Sequence, residues 1–141
     1  MPSRAADNRG VRVELRAAPL PFIGVFAVHC WFVVFDGGAP RRWEVWQRAN
    51  AGGASIGHVH RDLLHPDAGV GGGRMRVLAR WDGEDAVRIN RILSASEYPH
   101  AHRYRMWPGP NSNTFVAWVL KEADVRFRLP WRAFGRMYSR A

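Results

Sequence analysis

Residues 25–35, Val-Phe-Ala-Val-His-Cys-Trp-Phe-Val-Val-Phe, constrain the fold more than any other stretch of this chain. β-Branched and aromatic side chains dominate the run, so it reads as a central strand whose two faces must both be covered. The longer apolar stretch that contains it, residues 20–35, is too short and too interrupted by Pro21, Gly24 and His29 to read as a membrane span. His29 sets the chemical problem: a polar ring inside an apolar strand must find a partner or cost free energy. Alternation places it on the face shared by Ala27 and Trp31.

The remaining elements follow from period and punctuation. Residues 11–16 alternate apolar and charged, the pattern of a half-buried strand, and Pro19 and Pro21 end it. Residues 36–40 form a turn, and residues 41–48 return as the second half of a hairpin, which puts Glu44 on the neighbour of the strand carrying His29. Residues 49–73, rich in Gly, Ala, Ser and His, read as a loop excursion. Residues 74–81 read as another strand. A helix is then predicted from Asp82 or Gly83 to about Ser96, with Ala86, Val87, Ile89, Ile92 and Leu93 at helical spacing. A second helix is predicted over 113–122, a short strand over 125–129 and a tail over 130–141. The expected organisation is a flexible tail over residues 1–10 and one α+β domain over 11–141, with a small, largely antiparallel sheet and two packed helices.

Composition narrows the partners. A 141-residue chain with 47% hydrophobic residues is sized for one domain with a real core. The formal charge of +9 suits an acidic partner or an anionic membrane surface. Lys121 is the only lysine, however, and the arginines are scattered, with no helix-turn-helix, zinc-finger or RNA-recognition signature, so nucleic acid is not the expected partner. The one cysteine, Cys30, excludes an internal disulfide framework and a thiolate metal cluster. The N-terminus lacks the apolar core of a secretory signal, and a cytoplasmic location is expected.

Candidate sites differ in quality. His58, His60 and His65 offer three imidazoles without helical HExxH spacing or an adjacent carboxylate, so no metal is expected. His100 and His102 read as loop residues within reach of the turn that follows. No G-K-[ST] follows the glycines near Gly71, and no cofactor is expected. Residues 104–115, Tyr-Arg-Met-Trp-Pro-Gly-Pro-Asn-Ser-Asn-Thr-Phe, read as a tight turn feeding a helix N-terminus, where unpaired N–H groups and the dipole stabilise an anion or oxyanion. Ser112 either caps this helix or is a nucleophile. His29 either is a core histidine bonded to Glu44 or backbone, or is a general base oriented by Glu44 and acting on Ser112.

The strand with Ala27-Val28-His29-x-Trp31, the strand with Trp43-Glu44-Val45, the block Tyr104-x-x-Trp107-Pro108-Gly109-Pro110-Asn111-Ser112-Asn113-Thr114-Phe115 and the closing Leu129-Pro130-x-x-Ala133-Phe134-Gly135-x-x-Tyr138 resemble the bacterial domain-of-unknown-function 3750 family. More distantly, the order of a strand with His, a strand with a polar residue and a turn-to-helix nucleophile resembles the circularly permuted branch of the NlpC-type papain-like superfamily of amidases, peptidases and lipid acyltransferases. That resemblance implies a permuted papain-like fold in which Ser112, His29 and Glu44 act on an amide, peptide or lipid ester, with Asn111, Asn113, Thr114, Trp31, Tyr104 and Trp107 around the substrate. Where that branch has a Cys at the helix start, this chain has Ser112, and a hydroxyl depends wholly on its base. The alternative is a catalytically silent module that uses the same groove, or exposed Trp and Arg side chains, to hold an acidic or amphipathic partner.

Overall fold

A computed structural model describes residues 10–20, 27–71 and 73–139; the expected tail over 1–9 and residues 25 and 26 of the expected central strand lie outside them. The order of elements is β1 (Arg12–Pro19), β2 (Val28–Phe35), β3 (Arg41–Val45), β4 (Val59–Arg61), β5 (Arg76–Asp82), α1 (Gly83–Ala95) and α2 (Ser112–Glu122). The strands form one antiparallel sheet in the order β4-β3-β2-β1-β5, which puts the apolar strand in the middle, as its composition requires. The fold is therefore α+β. The β2–β3 hairpin has the expected partner, with Phe32 opposite Trp43.

Two sequence expectations are corrected. Within the predicted loop over 49–73 lies β4, which pairs with β3 through Trp43–Arg61, Glu44–His60 and Val45–Val59. Three residues between His58 and Asp62, one of them a histidine, carry too little β signal to stand out; pairing with β3 decides their conformation. Conversely, residues 125–129 are not a strand and pair with none of the five strands. Their apolar residues still behave as the alternation demands: Val125 and Leu129 are buried and Phe127 packs edge-on against Trp81.

The two faces of the sheet have different covers. Val13, Leu15 and Ala17 of β1, Val28, Cys30, Phe32 and Val34 of β2, and Trp43 and Val45 of β3 point to the helical side, where Ala86, Ile89 and Leu93 of α1 and Phe115, Val116 and Val119 of α2 complete the main core. The opposite face carries Glu14, Arg16, His29, Trp31, Val33, Arg42, Glu44 and His60, all buried. A loop, not a helix, covers it. Arg42 Nη1 donates to the carbonyls of His65 and Ala68 at 2.8 and 2.7 Å, Arg16 Nη1 to that of Pro66 at 3.0 Å, and Trp31 Nε1 to the same Pro66 carbonyl at 3.2 Å. These donors hold the segment over 65–68, and Val70 beside it packs against the cluster of Ala18, Trp31 and Val33.

α2 is fixed to the sheet by its first turn. β3 pairs with β2 only at Phe32–Val34, so the backbone of Val28 and Cys30 has no strand partner on that side. The Asn113 amide takes that place: Oδ1 accepts from Cys30 N at 3.1 Å, and Nδ2 donates to the carbonyls of Val28 at 2.9 Å and Phe134 at 3.0 Å. Val28 N–H donates to Arg132 O at 3.0 Å. The helix start and the segment around 132–135 thus stand in for the missing continuation of β3. Asn113→Ala leaves a buried N–H and carbonyl without partners and is expected to cost about 3 kcal/mol in chemical denaturation. Asn113→Asp, which keeps the acceptor for Cys30, should lie between wild type and alanine.

Candidate functional site

His29, Glu44 and Arg42 form one buried constellation. β2 and β3 run antiparallel with His29, Trp31, Arg42 and Glu44 on the same face, so the three polar side chains converge under the loop cover. His29 Nε2 lies 2.8 Å from Glu44 Oε2, and Arg42 Nη2 donates to the same oxygen at 2.8 Å. Arg42 Nε is also 2.8 Å from Glu44 Oε1, although that N–H points off the line to it. The guanidinium lies over the Trp31 ring at 4.0 Å. His29 is enclosed between Trp46, at 4.1 Å between centroids, and Trp31, at 5.6 Å. Arg42 and Trp46 were not among the residues singled out from the sequence. The two-residue spacing of Arg42 and Glu44 was the available signal, because in a strand it puts both on one face.

The protonation states follow from this environment. Burial lowers the pKa of His29 below its ordinary value and outweighs the opposing carboxylate of Glu44, so the ring is neutral at neutral pH. Burial would raise the pKa of Glu44, but its hydrogen bonds and charge interactions with His29 and Arg42 together bring it below the ordinary carboxylate range. Glu44 is therefore an anion. A neutral ring beside a carboxylate acceptor carries its proton on Nε2, which leaves the lone pair on Nδ1. His29 is thus a base with one nitrogen fixed by its orienting carboxylate.

The helix start gives each residue of the Asn111-Ser112-Asn113-Thr114 block a defined place. Asn111 is the N-cap: its Oδ1 accepts from the N–H of Asn113 at 3.0 Å and of Thr114 at 3.3 Å, while Thr114 Oγ1 accepts from Asn111 N at 3.0 Å. Thr114 Oγ1 also donates to Gly135 O at 2.7 Å. Gly135 has φ +97°, and a Cβ there would meet the Asn111 amide at 2.2 Å, so only glycine fits against the cap. Ser112 is the first helical residue and is not the cap. Among the described residues its hydroxyl makes no hydrogen bond, to His29 or to any other group. The N–H groups of Asn113, Thr114 and Phe115 are taken by Asn111, so the N–H of Ser112 itself is the free donor of this turn.

The other candidates are dispersed. Trp31 is fully buried beneath Arg42; Tyr104 is half-buried and stacks on His58 at 5.5 Å; Trp107 is 70% exposed and packs edge-on against Phe134. His58 Nδ1 lies 2.9 Å from Trp46 O, while His60 is held between Ser55 Oγ and Arg48 O at 2.6 and 2.8 Å. His65 accepts from Asp67 N at 3.1 Å, so the three rings face different partners. His100 differs from the loop residue expected: it is buried, edge-on to Tyr98 and Tyr138. Burial pushes the Cys30 thiol up to about 12, which makes it inert.

A small α+β domain with a His-Glu-Arg cluster on one sheet face, and a capped helix start docked on the strand that carries the His, is the class of protein defined here. The chain matches, over residues 10–138, the family described as protein of unknown function (DUF3750), and it belongs to that family. No curated protein and no solved structure matches it. No described helix is long and apolar enough to cross a membrane.

The depressed pKa of His29 makes folding sensitive to acid. Because the folded pKa lies below the ordinary 6.5, the unfolded chain takes up this proton first; the stabilisation is full above that pH and is lost as pH falls towards the folded value. His60, also lowered chiefly by burial, adds to the same trend. The melting temperature is expected to fall between pH 7 and pH 5. In His29→Gln that decline should be shallower by calorimetry, and an unchanged slope would show that His29 does not titrate with unfolding.

Proposed function

We propose that this protein is a hydrolase or acyl transferase acting on an amide, peptide or lipid ester, with Ser112 as nucleophile, His29 as general base and Glu44 as the group that orients the base. The fold proposed with it is the permuted papain-like arrangement of a strand-borne His and a helix-borne nucleophile. The observation that carries the reading is the division of labour on the His29 ring. Nε2 is engaged by Glu44, Glu44 is held by Arg42, and the remaining lone pair is on Nδ1. The α2 start is tied by Asn113 to Val28 and Cys30, the residues on either side of His29. Ser112 adjoins that anchor and is free of capping duty.

In this reading the Ser112 hydroxyl passes its proton to His29 Nδ1 as Oγ attacks the substrate carbonyl. The tetrahedral oxyanion faces the Ser112 N–H and the positive end of α2. Collapse breaks the bond to the amine or alcohol, which leaves with the proton from Nδ1. Water or an acceptor hydroxyl then attacks the acyl-enzyme, again giving its proton to His29, and releases Ser112.

A second reading, the catalytically silent module for an acidic or amphipathic partner, is favoured by burial and by placement: His29 is 1% and Ser112 9% exposed, and His29 lies on the loop-covered face of the sheet while α2 packs on the other. One pair of variants separates the two. Ser112→Ala should abolish turnover of acyl or amide substrates with little change in stability, because Asn111 keeps the cap. Ser112→Cys should react quickly with iodoacetamide near neutral pH, since Nδ1 accepts the thiol proton and Glu44 stabilises the imidazolium; buried Cys30 supplies little background. A folded Ser112→Cys protein that alkylates no faster than an ordinary thiol removes the enzyme reading and leaves the binding module.

A further inference from the structure

The segments 98–115 and 125–141 contain no Asp or Glu, in a chain that has 12 acidic residues, yet they carry seven arginines. Where they meet, the structure exposes large apolar side chains. Trp107 is 70%, Trp131 59%, Met106 55% and Met137 80% exposed. Three of these form one patch: Phe134 lies between Trp107, at 5.9 Å between centroids, and Trp131, at 6.2 Å, and Met137 lines the same shallow groove of about 460 Å³. Exposed apolar clusters of this kind mark contact surfaces.

The rim chemistry selects the partner. Arg136 lines the groove and is half-exposed, Arg132 beside Trp131 is exposed, and Arg103 and Arg105, just before Trp107 in the chain, are exposed too; none of the four pairs with a carboxylate among the described residues. Arg132 lies 5.2 Å over the Trp131 ring, and Arg136 donates to Trp131 O at 3.1 Å, so cation and indole form one unit. Indoles at headgroup depth, a flexible methionine beside them and arginines at the rim are the side chains that an anionic lipid surface takes up. A protein partner would be met by a rim of both signs, which this face lacks.

We infer that this Trp107–Trp131–Met137 face docks on the surface of an anionic lipid bilayer, with the indoles at headgroup level and the arginines against lipid phosphates. The face adjoins the start of α2, because Gly135, on its groove, packs against Asn111. The inference does not rest on the chemistry proposed for Ser112: Ser112→Ala should bind lipid as wild type does, whether or not it has lost an activity.

The test is sedimentation of the full chain with large unilamellar vesicles of phosphatidylcholine containing 30% phosphatidylglycerol, at roughly 0.1 M salt where the Debye length is about 10 Å. Binding is expected to these vesicles, to fall at least tenfold with phosphatidylcholine alone, and to weaken as salt rises. Trp107→Ala with Trp131→Ala should lower the bound fraction at least tenfold. Arg103→Gln with Arg132→Gln should remove the preference for phosphatidylglycerol. Because all four side chains are exposed, the variants should melt as wild type does, and calorimetry checks this. No binding to anionic vesicles, or equal binding by the folded double-Trp variant, overturns the inference. So does an apolar face closed by a second copy, seen as a dimer that the double-Trp change dissociates.

Discussion

The buried carboxylate of Glu44 is the interaction on which the rest depends. A lone carboxylate on a closed sheet face would be forced neutral by desolvation, and burial alone would push its pKa up. Two donors reverse that: Arg42 supplies a permanent cation and His29 a ring N–H at 2.8 Å. The arrangement propagates outward. Arg42, held by Glu44, turns its other nitrogen to the carbonyls of His65 and Ala68, so the same guanidinium that fixes the acid fixes the lid over it. On β1, two strands away, the motif recurs with Glu14 between Arg16 and Arg80, and Arg16 reaches Pro66 and Asp67 of the same loop. Much of this face is a layer of ion pairs that holds a loop by its backbone carbonyls.

Asn113 solves a different problem, that of joining a helix to a strand where the sheet ends. Its side-chain amide offers an acceptor and a donor in the same orientation as a peptide group, so Val28 and Cys30 meet it as they would meet a strand. This fixes the helix start against the backbone of His29's neighbours. The cost would be a frayed first turn, but Asn111 and Thr114 close the capping box, and Gly135 lets the C-terminal segment lie against the cap. Three side chains of four consecutive residues are therefore spent on architecture, and Ser112 is the one left over.

What could be read from the sequence divides along physical lines. The strand at 28–35 and its hairpin partner were legible because a long β-branched run has few other places to go. The helix at 83–95 was legible because Ala86, Ile89 and Leu93 keep one face and Glu84 and Asp85 sit in its first turn. β4 was hidden: its three residues become a strand only because β3 has a free edge. The false strand at 125–129 has the right period but pairs with no strand. At the site, alternation alone paired His29 with Glu44, since residues on one face of neighbouring strands meet. It did not reveal Arg42, because an arginine at a strand start reads as solvent-facing until the loop at 62–70 is folded over it. That cover is set by long-range hydrogen bonds to backbone carbonyls, which leave no trace in side-chain pattern.

Under the proposed chemistry, a hydroxyl at the helix start can work within this enclosure. A serine–imidazole pair is neutral at rest. Charge then develops only in the transition state, where Glu44 is already placed to stabilise an imidazolium and the N–H of Ser112 is free to meet an oxyanion. The side of the molecule where α2 starts is also the side that carries Trp107 and Trp131. A surface that took up those indoles would bring its own acyl groups next to the one hydroxyl of the block that structure does not use.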